Sequence, residues 1–439
     1  VKAGSGNVTL RIAGAAGTVV ENFGVGSSVT INNNSISIDP TSDLNNSETY
    51  HISYPSGAFT NTSGDVSYVG TAYTFGTKAL QQTLWMWGTA GYGDLAQNDK
   101  VTRSSPVQIP GTNWGKLLNG QLNSFYGNAA LKTDNTLWVW GYNDNGHLGL
   151  NSLVNYSSPV QVPGTTWNFI SASYDAFLAT KTDGTLWAWG KNSYGSMGVN
   201  NRTQYSSPVQ VGSETTWGKG KWQLSSGAGF SGAVKTDGTL WVWGRNTEGR
   251  LGHNNPDNSH LSSPTQIPGT TWRSIACSQS TLTATKTDGT LWVCGENTYG
   301  TLGVNDRTKR SSPTQVPGTT WAENQDSGGS GYNVWRRTDG TIWSCGTNGA
   351  GQLGQNSETV ISSPTQIGSG TDWKQASTGD SNNMFGLKTD GTLWGWGDNG
   401  NGGLGINDII AHSSPTQIPG TTWNGVKGAR TRGYGLQVL

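Results

Sequence analysis

The side chains able to do chemistry are few and scattered. The chain holds three cysteines, Cys277, Cys294 and Cys345, and five histidines, His51, His147, His253, His260 and His412. A reactive thiol needs a nearby base and a depressed pKa, and no cysteine stands in a pattern that supplies them. Three is also an odd count without paired spacing, so neither a disulfide framework nor a zinc site is legible. No two histidines stand at metal-ligand spacing, so surface or turn positions are expected for them. Aspartate recurs before glycine as Asp183-Gly184, Asp237-Gly238, Asp288-Gly289, Asp339-Gly340 and Asp390-Gly391, with Asp134-Asn135 as a variant. That dipeptide signals a two-residue hairpin with both residues at positive φ, and turn geometry rather than acid catalysis explains it. Glu248, Glu296 and Glu323 fall at unrelated positions, so no paired carboxylates for glycosidic chemistry emerge. Asn143-Asp144-Asn145-Gly146 is the best cation loop on offer, yet it lacks the clustered carboxylates that calcium takes. The expectation is no catalytic residue, no metal, no cofactor and no enzyme.

The aromatic residues are far more numerous. Twenty-one tryptophans invite a sugar-stacking reading, but their positions must be counted first. Seven lead a recurring stretch typified by Leu186-Trp187-Ala188-Trp189-Gly190: Trp85, Trp138, Trp187, Trp241, Trp292, Trp343 and Trp394, at gaps of 53, 49, 54, 51, 51 and 51 residues. Five more fill its second aromatic position (Trp87, Trp140, Trp189, Trp243, Trp396), where Cys294 and Cys345 stand in the other two copies. A further seven follow a Gly-Thr-Thr type turn: Trp114, Trp167, Trp217, Trp272, Trp321, Trp373 and Trp423. The repeat thus explains 19 of 21 as packing. Trp222 and Trp335 fall outside the pattern and are the candidate exposed contacts. They join His253, Pro256 and His260 of the long loop at 252–261, because extra loop length on a rigid scaffold is where binding tends to reside.

A self-similar period near 50 residues, read as short strands and turns, is the mark of a propeller or solenoid. In residues 186–236, a strand at 185–190 leads through a Gly-rich loop to a strand at 206–211. A third opens at Trp217, and a fourth at 231–236 ends in Asp237-Gly238. Four strands per unit and seven units predict a seven-bladed β-propeller. The first copy has no Asp-Gly hairpin feeding it, while Tyr434-Gly435-Leu436-Gln437-Val438-Leu439 matches a fourth strand. Pairing of 434–439 with 83–88 is therefore expected to close the ring and remove its edges. The loop pattern Trp-Gly-x-Asn-x-x-Gly-x-Leu-Gly, followed by Ser-Pro, carries a resemblance. It stands as Asn143, Gly146, Leu148 and Gly149, and again as Asn192, Gly195, Met197 and Gly198. It returns from Asn246, Asn297, Asn348 and Asn399, with Ala90 and Ala96 in a degenerate first copy. It resembles the repeats of the regulator of chromosome condensation family over about 83–439, which implies the propeller fold and says little of function.

Residues 1–76 lack the repeat. Val8, Leu10 and Ile12, then Val29 and Ile31, Ile36 and Ile38, and Tyr50, Ile52 and Tyr54 alternate with polar residues, and Asn32-Asn33-Asn34 marks a turn. Gly4-Ser5-Gly6-Asn7-Val8-Thr9-Leu10, Ile36-Ser37-Ile38-Asp39-Pro40-Thr41-Ser42-Asp43-Leu44, Tyr50-His51-Ile52 and Gly57–Gly64 make this stretch similar to the bacterial Ig-like domains of S-layer and other surface proteins. That implies a small β-sandwich over 1–76 before a propeller over 77–439, all-β throughout. Only Val1 and Lys2 precede the Ala3-Gly4-Ser5-Gly6 stretch, so its first strand is expected to be missing and the edge to be completed by upstream sequence or a neighbouring chain.

Charge and composition narrow the function. Lys+Arg and Asp+Glu are 27 each in 439 residues, so no electrostatic footprint for nucleic acid exists, and no apolar run approaches membrane-spanning length. An Ig-like module joined to a large neutral propeller looks like display architecture. The expectation is a non-enzymatic, extracellular adhesion or virion component, from a bacterial surface or a phage tail or capsid. Its loops would bind a host glycan or a neighbouring protein, and its Ig-like part would dock it to other copies or neighbours. The alternatives are a polysaccharide-acting propeller enzyme, which needs convergent acids, and a guanine-nucleotide exchange factor, which the family resemblance implies.

Overall fold

A computed structural model describes residues 1–12, 16–32, 35–41, 44, 48–64, 66–69, 73–77, 81–117, 127–172, 176–218, 220, 222–255, 257–323, 329–379 and 381–438. Asn33, Asn34, Ser42, Asp43, Pro256 and Leu439 lie outside these residues. The chain divides into two compact units, Val1–Gln81 and Gln82–Leu439, a boundary a few residues later than the repeat pattern predicts.

The first unit carries a four-stranded antiparallel sheet in the order Val19–Gly24, Asn7–Ile12, Thr49–Ser53, Tyr73–Gly76. Val29–Asn32 pairs with Ser35–Ile38 as a separate ribbon. The alternation works as predicted: Val8 and Leu10 turn inward with Phe23, Tyr50 and Phe59. A short pairing stands where the opening strand is expected to be missing. Lys2 and Ala3 pair with Thr60 and Phe59, and the amides of Gly4 and Ser5 continue the ladder onto the carbonyls of Ala58 and Gly57.

The second unit is all strand and turn among its described residues. Its building block is four consecutive antiparallel strands, as in Trp167–Ala172, Ala176–Lys181, Leu186–Gly190 and Tyr205–Gln210. Leu137–Gly141, Leu240–Gly244, Leu291–Gly295, Ile342–Gly346 and Leu393–Gly397 are third strands of equivalent sheets, that of Ile342–Gly346 having three strands among the described residues. A seventh sheet is composite. Arg103–Gln108 and Gln82–Gly88 come from the start of the unit, Arg432–Val438 and Trp423–Ala429 from its end. Arg432 through Val438 pair residue by residue with Gly88 through Gln82, bringing Gly435 opposite Trp85. The sheets form propeller-like blades, each packed on the next in chain order.

Two sets of hydrogen bonds run from sheet to sheet, and both return to the start. At the outer edge, asparagines donate their amide N–H to a serine carbonyl of the next sheet at 2.7–3.1 Å: Asn98 to Ser157, Asn151 to Ser206, Asn200 to Ser262, Asn254 to Ser311, Asn305 to Ser362, Asn356 to Ser413 and Asn407 to Ser104. All seven asparagines hold φ of 51–65°, a conformation asparagine tolerates better than other residues with a Cβ. Deeper in, the second tryptophan of each repeat reaches back to the preceding sheet. Trp87 donates its indole N–H to Gly403, Trp140 to Asp94, Trp189 to His147, Trp243 to Ser196 and Trp396 to Gln352, at 2.8–3.1 Å. These five indoles are fully buried. The last glycine of the loop motif exists for them: a Cβ on Gly149, Gly198, Gly354 or Gly405 would sit 2.8–2.9 Å from the indole nitrogen.

Candidate functional site

The two thiols at the indole position keep the same bond. Cys294 reaches Arg250 O at 3.6 Å and Cys345 reaches Thr301 O at 3.3 Å. Where Cys345 leaves space, Trp335 on the paired strand fills it. A Cβ on Gly303, which in other repeats would meet the second tryptophan, here meets the Trp335 ring at 3.0 Å. Trp335 is 3% exposed and stacks edge-on against Trp321. Its expected role as an exposed contact is thus corrected: it is a core residue that compensates for a missing neighbour. Trp222 is corrected likewise. It is 8% exposed, and its carbonyl accepts the Ile275 amide of the next sheet at 2.9 Å. Burial pushes all three thiols up, Cys294 to about 12, so none is a thiolate at neutral pH. Ellman's reagent is expected to titrate no thiol in the native protein and three after denaturation; a thiol reacting rapidly under native conditions contradicts this burial.

The first tryptophans are half-buried and built into the hairpin ends. Each donates its indole N–H to the threonine two residues before it, at 2.8–3.0 Å. In six repeats that threonine in turn donates its hydroxyl and amide to the turn aspartate, as Thr185 does to Asp183. A cation lies over both this indole and the one opening the sheet, at 4.0–5.3 Å: Lys132, Lys181, Lys235, Lys286, Arg337 and Lys388. The hairpin itself differs from the two-residue form expected. Gly184 has φ 85° while Asp183 is not left-handed. Lys181 O accepts from Gly184 N, and Lys181 N donates to Thr185 O. This is a type I turn closed by a glycine bulge, and the aspartate is kept for its side-chain bonds instead.

Those bonds hold the turn carboxyls below the ordinary aspartate range, chiefly through the threonine hydroxyl, or for Asp183 the threonine amide. A folded-state pKa below the unfolded one contributes stability above the unfolded value, about 3.9, that is lost as pH falls through the folded one. Each carboxyl is solvent-exposed, so the individual effect is small. The melting temperature is expected to stay level from pH 7 to about 5 and to fall below about pH 4. It should fall less steeply when Asp183, Asp237 and Asp288 are changed together to Asn. An acid limb unaltered by those changes contradicts the assignment.

The Asn of the loop motif is a buried organiser. Asn143 donates Nδ2 to the carbonyls of Ser152 and Val154, and its Oδ1 accepts the Leu148 amide. Asn192, Asn297, Asn348 and Asn399 make corresponding bonds. Asn143 thus spends its amide on holding its own loop. Among the described residues no group of three His, Cys, Asp or Glu is placed to hold a metal. His147 and His51 are buried rather than at the surface, the His147 ring lying against Phe177.

The framed loops differ at their tips. Leu153 and Val154, Ile409 and Ile410, and Val101 are all more than half exposed. They cap three sheets that neighbour one another around the circuit, those of Leu137–Gly141, Leu393–Gly397 and the composite. Charged groups stand at this edge within the arc, Arg103 with Asp99 beside Val101 and His412 with Asp408 beside Ile409, and in the sheets beyond. Lys309 bridges Glu248 and Asp257, and Arg310 pairs with Asp306.

His253 and His260 share one loop but not one site. His253 Nε2 lies 3.2 Å from Gln266 O, and the ring lines an outer groove with Trp272, Lys286 and Trp292. His260 Nδ1 accepts the Asn246 amide, as Asn155 Oδ1 does for Asn143, and its ring meets Tyr194 edge-on. Burial lowers both pKa values, and Arg202, Arg245 and Arg250 lower that of His260 further. His260 braces its loop. The exposed tips carry no motif, although aligning the loops between Asn and Ser-Ser-Pro shows apolar pairs amid polar residues.

A family model, the RCC1-like domain, matches residues 83–437. The ultraviolet-B receptor UVR8 of Arabidopsis thaliana is 24% identical over 344 residues, 76% of this chain and 64% of the receptor. Human Protein RCC2 is 30% identical over 135 residues, 30% of this chain and 26% of RCC2. The chain spans less than two thirds of either relative. Among solved structures, human WBSCR16 is similar with a TM-score of 0.69 at 19% identity, covering 81% of this chain and 98% of that one. Prp20p of Saccharomyces cerevisiae, a structure reported with its binding properties to Gsp1p and histones, has a TM-score of 0.69 at 18% identity, covering 82% and 92%. At such identities these structures speak for the fold alone.

Proposed function

The chain belongs to the RCC1-like domain family, and from that premise we propose that it is a non-enzymatic, protein-binding scaffold. In this reading the second unit is a closed seven-bladed β-propeller, and the first is an Ig-like β-sandwich that docks it. The observation that carries the binding role is the rim arc of Ile409, Ile410, Val101, Leu153 and Val154. Loops held by the buried Asn143 and Asn399, and in the composite sheet by the Arg103–Asp99 pair, present exposed aliphatic tips on three adjacent sheets, and exposed apolar surface marks interaction sites. Prp20p, of the same fold, binds the proteins Gsp1p and histones, and a protein partner suits a chain of zero net charge. The relatives give no support to the virion, adhesion or extracellular setting suggested by composition.

The test is quantitative cross-linking in extracts of the source cells, comparing the full chain with a variant carrying Leu153→Ser, Val154→Ser, Ile409→Ser and Ile410→Ser. The proposal expects at least one specific partner to fall about tenfold, equivalent to about 1.4 kcal/mol, with the melting temperature unchanged. Partners retained equally by both proteins overturn it.

A further inference from the structure

We propose that His260 makes the long loop at 252–261 an acid-sensitive latch, in which proton uptake by the imidazole releases residues 258–260 from Asn246. The latch stands on a hydrogen bond whose direction is fixed. The Asn246 amide donates to His260 Nδ1 at 3.1 Å, so Nδ1 must carry a lone pair and the ring proton must sit on Nε2. Protonation puts a second N–H on the ring. Donor then faces donor, and the bond is lost.

Asn246 grips the loop through both backbone and side chain. Its carbonyl accepts the Asn258 amide at 2.7 Å, its Nδ2 donates to Ser259 Oγ at 3.0 Å, and its Oδ1 accepts the Leu251 amide at 3.2 Å. The His260 amide in turn donates to Asn258 O at 2.9 Å. In the loop that follows Leu137–Gly141, Asn155 does the work of His260, its Oδ1 accepting the Asn143 amide at 2.6 Å. A carboxamide oxygen keeps that role at any ordinary pH. Thr102, Gln204, Lys309, Val360 and Ala411 occupy the aligned position in the other loops, so a group that titrates near neutral pH stands there only as His260.

The surroundings oppose a charged ring. Among the described residues the charges acting on it are Arg202, from the loop of the preceding sheet, and Arg245 and Arg250, from its own. Arg250 is anchored, its guanidinium donating to the carbonyls of Thr247 and Gln279 at 2.8 and 2.7 Å. Arg245 lies 5.1 Å from the centre of the Tyr194 ring, and the imidazole meets the same ring edge-on at 5.1 Å. Of the nearby carboxylates, Glu248 and Asp257 are engaged by Lys309, and Glu296 of the next sheet acts on Arg250. Burial and the three cations hold the ring below the ordinary histidine range, about 6.5. Once released, the ring returns to that range and takes up a proton more readily. The grip is therefore complete above about pH 6.5 and weakens as pH falls below it. Asp257 stays tied to Lys309 at 2.6 Å through a contact that does not involve the imidazole, so the movement is confined to 258–260.

The loop lies outside the rim arc and the latch is read without a partner, so the two proposals fail separately. The test is hydrogen exchange of the full chain at about pH 7.5 and about pH 5, resolved to single amides and corrected for intrinsic rate, beside NMR of the His260 ring. At the higher pH the ring proton is expected on Nε2. At the lower pH the amides of Asn246 and Asn258 should exchange about tenfold faster, with those of Leu186–Gly190 unchanged. His260→Asn, which supplies the oxygen that Asn155 supplies elsewhere, should remove this response, and His412→Asn should keep it. The proposal is overturned if the ring carries its proton on Nδ1 at the higher pH, or if the two amides exchange alike at both. It is equally overturned if His260→Asn responds as the parent does, or if His412→Asn abolishes the response.

Discussion

Removing residues 432–439 is expected to abolish cooperative folding of the second unit. Arg432–Val438 is a central strand, paired on one side with Trp423–Ala429 and on the other with Gln82–Gly88. Its loss strips partners from both and leaves two further unpaired edges inside the sheet. It also uncovers the space filled by Tyr434 and Leu436, 2% and 5% exposed, and leaves Asp94 without its cation. Burying two such side chains contributes about 1.5–3 kcal/mol each, and breaking a buried ion pair costs about 3–5 kcal/mol. The sum rivals the roughly 5–15 kcal/mol that stabilise an ordinary domain. The truncated protein should show a broad, low thermal transition and concentration-dependent association in sedimentation, while the full chain melts in a sharp step. A truncated protein that is monomeric and melts within a few degrees of the parent contradicts a structural role for the composite sheet.

The second large effect is expected at the ion pair itself. Asp94 and Arg432 are 4% and 3% exposed and meet at 2.6 Å. Arg432 also donates to Asn128 Oδ1 at 3.3 Å, an atom the Tyr434 hydroxyl also reaches, and Asn128 Nδ2 donates back to Asp94 O at 3.2 Å. The cluster therefore joins the two ends of the unit to the following sheet. Asp94→Ala or Arg432→Met leaves a buried charge alone and should each cost about 3–5 kcal/mol in urea unfolding. The double variant removes both charges and should lose less than the two single losses added, because the second substitution relieves the charge stranded by the first. Additive losses, or single losses below about 1 kcal/mol, would show that the pair is not a coupled buried unit.

The repeat makes the second unit legible because each motif residue answers a local physical demand that recurs. The second tryptophan binds the preceding sheet, the motif asparagine satisfies its own loop, and the glycine admits the indole. Sequence spacing alone locates these residues and the terminal strand that pairs with 82–88. Compensation and variation are not legible in the same way. Trp335 looks foreign to the repeat because Cys345, ten residues on, vacates its space, and only three-dimensional contact ties the two. Trp222 looks exposed because it stands outside the repeat, yet it is buried and its carbonyl accepts the Ile275 amide of the neighbouring sheet. The dipeptide rule assigns positive φ to Asp183 because it ignores the bulge the following glycine can make.

Hydrogen exchange followed by mass spectrometry tests ring closure most directly. If the chain ends close the circuit, amides of 82–88 and 432–438 should exchange as slowly as those of Leu186–Gly190, a third strand in the middle of the array. Fast exchange confined to those two segments, with the other sheets protected, would show an open array whose ends fray and would contradict the account.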